Sequence, residues 1–172
     1  YCEKAAALWD EALSKIKISG GTEDERTIFY TSLYHTMIDP RDYRDVTGEY
    51  VGGDRQVHKT DAFKKRTVFS GWDVFRSQFP LQNLINPEVV NDMINSFVTL
   101  AEENGTGVYE RWEFLNAYSG CMLGNPAIAV IVDAYMKGIR GYDVEKAYRF
   151  ARQTADRIGP VSYTHLTLPT KL

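Results

Sequence analysis

Trp72 and Asp73 stand side by side in Ser70-Gly71-Trp72-Asp73-Val74-Phe75-Arg76-Ser77-Gln78-Phe79-Pro80, at what the pattern predicts as the first turn of a helix. An indole offers an apolar face on which a ring can lie, and an ionised carboxylate accepts hydrogen bonds without donating any. Together they suit a polyhydroxyl ring better than a phosphate or a base. A second group is Tyr109-Glu110-Arg111-Trp112-Glu113-Phe114, where Arg111 can fork across two neighbouring hydroxyls while Trp112 forms a wall. Both have a plainer reading. Asp73, three residues after Ser70, can complete a capping box, and an aromatic-rich loop can pack on its own domain.

Hydrolysis of a glycoside needs one carboxyl to protonate the leaving oxygen and a second on the opposite face of the ring. Glu49, Asp73, Glu110, Glu113 and Asp133 fall in or next to the segments expected to be loops. Glu110 and Glu113 flank Arg111 and read equally as salt-bridge partners, while Asp133, inside an apolar helical run, reads as a buried hydrogen-bonding residue. His35 and His58 are far apart and read as structural, and Cys2 and Cys121 fit no metal or redox spacing. There is no phosphate-cradling glycine loop, no His-Glu-x-x-His and no Gly-x-Ser-x-Gly, so nucleotide, zinc and serine-hydrolase chemistry lose their support. Asn104-Gly105-Thr106 matches a glycosylation acceptor, yet Asn104 fits a helix end as well.

The chain that must position these groups has 172 residues, 44% of them apolar and 25% charged, ordinary values for a domain with a core. Twenty basic residues against 23 acidic ones give a net charge of −3, which leaves no basic footprint for nucleic acid or an anionic membrane. No apolar run approaches the length of a bilayer span. Aromatics reach 13%. Several, including Tyr43, Tyr50, Tyr109, Trp112 and Tyr118, sit in loop-like surroundings, which leans toward carbohydrate unless burial accounts for them. The first residues, Tyr-Cys-Glu-Lys-Ala, fall inside a helical pattern and carry no signal segment or initiator Met, so the start is expected to be missing.

Apolar spacing predicts a helix over about 3–17, through Ala5, Leu8, Trp9, Ala12, Leu13 and Ile16, stopped by Gly20-Gly21. Thr22 and Glu25 form a capping-box signal for a second, with Ile28, Phe29, Leu33 and Met37 as its buried stripe up to Asp39-Pro40. A third follows Ser70 to about Ile85, bent or broken near Pro80. Asn86-Pro87 and Asn125-Pro126 open a fourth and a fifth, with Asn capping and Pro at the first position, and Asp143 caps a sixth that runs to about Ile158. Segments 40–68 and 105–124 are long ordered connections, the former with a small hairpin, and loops of that length tend to be functional. The expected fold is all-α: about six helices in three hairpins with long ordered loops, half of an (α/α)6 toroid whose loops line a central cavity. Residues 161–172 break the helical period and resemble a translated sequencing-adaptor tail. They are set aside as non-native, leaving 1–160 as the domain fragment.

Four stretches together resemble glycoside hydrolase family 92. They are Phe29-Tyr30-Thr31-Ser32-Leu33-Tyr34-His35-Thr36, Gly48-Glu49-Tyr50-Val51-Gly52, the Ser70 to Pro80 segment, and Ser119-Gly120-Cys121-Met122-Leu123-Gly124-Asn125-Pro126-Ala127 followed by Asp133-Ala134-Tyr135. The resemblance covers about 3–160. It implies a calcium-dependent, exo-acting, inverting α-mannosidase, in which an N-terminal β-sandwich of the same parent chain joins an α/α barrel, and this chain is the barrel's first half. It further implies that Trp72 and Asp73 hold the terminal mannose of a glycan and that Arg111 is a further sugar contact. The catalytic acid, the general base and the calcium ligands are expected beyond residue 160, so this chain alone should be inactive and hold no metal. A periplasmic, cell-surface or secreted parent is implied as well. Two other readings stay open on the residues themselves: a noncatalytic carbohydrate-binding domain and a helical scaffold for protein partners.

Overall fold

The computed structural model describes residues 1–119 and 121–157, so the expected tail at 161–172 lies outside the described residues. Two compact units divide after Asp39. The first is a helical hairpin of α1 (Cys2–Leu13) and α2 (Glu23–His35). Thr22 Oγ1 accepts from the Glu25 N–H at 3.2 Å and the Glu25 carboxylate accepts from the Thr22 N–H at 2.7 Å, the capping box that the sequence predicts. α1 stops at Leu13, short of the expected 17. There the Ser14 hydroxyl donates to the Glu11 carbonyl at 2.9 Å, and such local side-chain bonds compete with continued helix. The expected buried stripe is mostly exposed: Leu8 and Ile28 stand open, and Leu33 is the buried residue of the two helices.

The second unit begins at Pro40 and alternates short strands with helices. β1 (Arg41–Asp42) pairs with β4 (Arg66–Thr67), and β2 (Glu49–Val51) with β3 (Val57–Lys59) forms the expected hairpin. β5 (Phe69–Ser70), β6 (Trp112–Phe114) and β7 (Ala117–Tyr118) make a three-stranded antiparallel sheet. The helices are α3 (Gly71–Val74), α4 (Gln78–Ile85), α5 (Pro87–Glu103), α6 (Pro126–Met136) and α7 (Val144–Asp156). The all-α class holds, with seven helices among the described residues in place of the six expected. The third is two: it breaks after Val74, upstream of Pro80. Pro80 has no N–H to offer Arg76 and its ring crowds that carbonyl, so the chain must leave the helix before it and restart with Pro80 in the first turn.

Asn86 and Asn125 occupy the N-cap positions of α5 and α6 with Pro next, as expected, but neither side chain caps its helix. The Asn86 amide donates instead to Gln82 Oε1 at 2.7 Å. Asp143 does cap α7, accepting from the Lys146 N–H at 2.9 Å. α5 is the spine of the core: Val90, Met93, Ile94, Phe97 and Ala101 are buried against Phe69, Phe79, Val130 and Phe150. Tyr109 belongs to this core too, its hydroxyl donating to the Ala147 carbonyl at 2.9 Å. Tyr50 is buried likewise and donates to Glu103 at 2.8 Å. For these two tyrosines burial, not carbohydrate, explains the residue type.

Polar contacts fasten the long connection before β5 to α5. Gly53 N–H donates to Glu103 at 3.0 Å, Arg66 pairs with Asp92 at 3.2 Å, and the Lys65 ammonium donates to the Ser96 carbonyl at 3.2 Å. Lys65 is fully buried, and burial pulls its pKa down to about 8 against the opposing pull of Glu103 and Glu113. A cation whose pKa falls on folding leaves the unfolded chain holding more protons between the two values, so stability rises with pH there. Between about pH 8 and 10.5 the gain from Lys65 should reach about 3 kcal/mol at most. Urea unfolding across that range, run beside Lys65→Met, should show the rise in the parent alone. Parallel profiles would contradict it.

Candidate functional site

The two segments marked by their chemistry in the sequence are neighbouring strands. Ser70 lies opposite Trp112 and Phe69 opposite Glu113, and the Gly71 N–H donates to the Arg111 carbonyl at 3.1 Å. Glycine at 71 is a steric requirement: a Cβ there would stand 2.3 Å from Pro126 Cγ and 2.5 Å from the Arg111 carbonyl oxygen. The strand pair therefore delivers the chain straight into α3, whose first turn carries Trp72 and Asp73.

Trp72 is 45% exposed. It borders an open cavity of about 310 Å³, together with Phe75, Arg76, Leu123, Asn125 and Pro126. That volume is at the lower end for small-molecule sites. The Arg76 guanidinium lies 4.5 Å from the centre of the Trp72 ring and 4.4 Å from that of Phe75, and it also donates to the Trp72 carbonyl. Asp73 is exposed and accepts from the Ser70 hydroxyl. Ser70 makes no side-chain bond to the helix backbone, with ψ of 72°, so the capping-box alternative for Asp73 does not form.

Arg111 is joined to this group through its backbone. Its residue borders a separate recess of about 20 Å³, shared with Tyr109, Glu110, Asn125, Thr154 and Arg157. Such a space is of the order of a single water. Asn125 borders both spaces. Burial raises the Glu110 pKa, with Arg157 and Arg111 opposing.

The remaining carboxylates have other duties. Glu113 is buried and is held by three donors, the Thr67 hydroxyl and Asn116 N–H at 2.6 Å each and the Val68 N–H at 3.0 Å, where a salt bridge to Arg111 had been one expectation. Burial raises its pKa, and the bonds from Thr67 and Asn116 work against that. Asp133 accepts from Asn83 at 2.7 Å and pairs with Lys137 at 2.5 Å, but it is partly exposed, not buried as the apolar run suggested. Its place beside Lys137, one turn on, lets both reach water. Glu49 is exposed on β2 opposite Lys59. His58 bonds Asp54 at 2.9 Å, and Asn104 is the C-cap of α5. Among the described residues no three His, Cys, Asp or Glu side chains come together as ligands for a metal ion.

The model of the glycosyl hydrolase family 92 catalytic domain matches residues 1–167. The chain belongs to glycosyl hydrolase family 92. Among solved structures it is similar to the family GH92 α-mannosidase BT3965 from Bacteroides thetaiotaomicron, with 32% identity and a TM-score of 0.86, over 92% of this chain and 21% of that one. That relative has also been solved in complex with mannoimidazole, with the same scores. The family GH92 inverting mannosidase BT2199 from the same organism gives 32% identity and a TM-score of 0.80, over 93% of this chain and 22% of that one. The family 92 chain thus spans about a fifth of the length of the solved relatives it matches, and it has the helical class of their (α/α)6 catalytic domain. No curated protein matches it.

Sequence reasoning named Trp72, Asp73 and Arg111 but missed that their segments pair and that Arg111 borders a different recess from Trp72, and it missed Glu113 as a buried anchor. A signal was present. Glu113 alternates with Trp112 and Phe114 in a β-favouring run, which puts it alone on the inward face of a strand.

Proposed function

We propose that this chain is the opening part of the catalytic domain of an exo-acting, inverting α-mannosidase that releases terminal α-linked mannose from glycans. The reading rests on the family match taken together with the likeness to a relative solved with mannoimidazole. Trp72 gives the sugar a stacking face at the cavity mouth, Asp73, beside it in the first turn of α3, accepts from its hydroxyls, and Arg111 is a further contact from the neighbouring recess, which shares Asn125 with that cavity. These groups bind and orient; they do not transfer protons. The acid and the base are proposed to lie beyond residue 160, as the family resemblance implies, and Glu113 and Asp133 are committed to donors of the fold. The intact enzyme is proposed to be calcium-dependent. Among the described residues no three His, Cys, Asp or Glu side chains gather to hold the ion.

The test is release of mannose from an α-mannoside by the complete protein, with and without a calcium chelator, the first-formed anomer being read by NMR. Release of β-mannose that stops on chelation is the expected result. Binding of mannose without release would favour a noncatalytic carbohydrate-binding domain, and initial α-mannose would rule out inversion.

A further inference from the structure

Between β4 and β5 a single residue turns the chain from one sheet to another. Thr67 pairs with Arg41 in one, Phe69 pairs with Glu113 in the next, and Val68 between them has φ of 72°. A β-branched residue in the left-handed region is strained, and such strain persists only where the surroundings over-determine it. The carboxylate of Glu113 supplies that determination. One oxygen accepts from the Val68 N–H, while the other takes the Thr67 hydroxyl and the Asn116 N–H. Thr67 Oγ1 in turn accepts from the Leu115 N–H at 2.8 Å. Leu115 and Asn116, with φ of 51° and 62°, form the two-residue turn between β6 and β7, so the same carboxylate pins both that turn and the kink.

We infer that Glu113 is a positioning residue for the sugar site, fixing the left-handed kink at Val68 and thereby the place of Trp72 and Asp73, four and five residues further on. This rests on the α-mannosidase reading given above. The path is short and rigid: Val68 leads into β5, β5 is registered on β6, and Gly71 is pressed between the Arg111 carbonyl and Pro126. A shift at Val68 has no flexible segment in which to dissipate before it reaches the indole and the carboxylate.

Glu113→Gln separates this role from general packing. With its oxygen turned to Thr67 and Asn116, the new amide presents its NH2 to the Val68 N–H, two donors face to face. In the complete enzyme, assayed on an aryl α-mannoside well below the thermal midpoint of each variant, E113Q should lower kcat/KM about tenfold. Added to Asp73→Ala it should lower it less than twofold further, because both act at one place. Val68→Gly in the E113Q background should recover at least half of the loss, since glycine takes positive φ without strain. Multiplying effects of E113Q and D73A, or no recovery with glycine, would overturn the positioning role and leave the sugar site standing. A D73A variant with normal kcat/KM would instead overturn the sugar-site reading. If E113Q does not fold, Thr67→Val, which removes one donor to the same carboxylate, carries the same cycle.

Discussion

Changing Asp73 to alanine in the complete enzyme should lower kcat/KM about a hundredfold while moving the thermal midpoint by about 2 °C or less. The two halves of this expectation have separate origins. Asp73 is exposed, and the fold's claim on it is the Ser70 hydroxyl. Exposed substitutions of this kind stay within about 0.5 kcal/mol. The helix does not need it either, because Ser70 and Asp73 form no capping box. A carboxylate that accepts from sugar hydroxyls contributes about 1.5–3 kcal/mol per bond, and about 2.7 kcal/mol lost from the transition state is a hundredfold in rate. Kinetics on an aryl α-mannoside and a thermal melt of the same sample make the measurement. A midpoint that collapses while the folded fraction keeps normal kcat/KM would mean Asp73 serves the fold alone.

Local signals in the sequence carried the helices well and the site only halfway. Caps and spacing are short-range, so Thr22 with Glu25 and Asp143 could be read directly, and both make the bonds expected of them. The Asn-Pro pairs marked the right positions for a different reason. Proline at the first helical position suffices, and the Asn86 side chain is free to bond Gln82. The missed features all depend on partners far along the chain. Nothing in Lys64-Lys65-Arg66 alone marks Lys65 for burial, and it is buried where α5 offers it the Ser96 carbonyl. Glu113 reads as a neighbour of Arg111, and is instead claimed by Thr67 and Val68, some 45 residues earlier. Strands of two or three residues leave no periodicity to detect, which is why β5 and β6 looked like two separate loops.

Phe69→Ala should cost about 3–5 kcal/mol, enough to take away much of the stability of an ordinary domain. Phe69 is wholly buried, with its ring 4.6 Å from that of Phe97 on α5 and 5.7 Å from that of Phe79 on α4. Truncation opens a cavity in a core already filled by Phe79, Met93, Ile94 and Phe97, so little collapse can refill it. Phe114, on the adjacent strand, is the matched control: it is 47% exposed, and its loss to alanine should cost under about 1 kcal/mol. Urea unfolding of the two variants should therefore separate them by at least 2 kcal/mol in stability at unchanged m-value. The difference has a functional edge, because Phe69 is the step of β5 that ties the kink at Val68 to the turn bearing Trp72 and Asp73. In Phe69→Ala the strand loses its grip on the core, and the fraction that remains folded should bind sugar more weakly, where Phe114→Ala binds as the parent does. Equal destabilisation by the two substitutions would show that β5 is not the link between core and site.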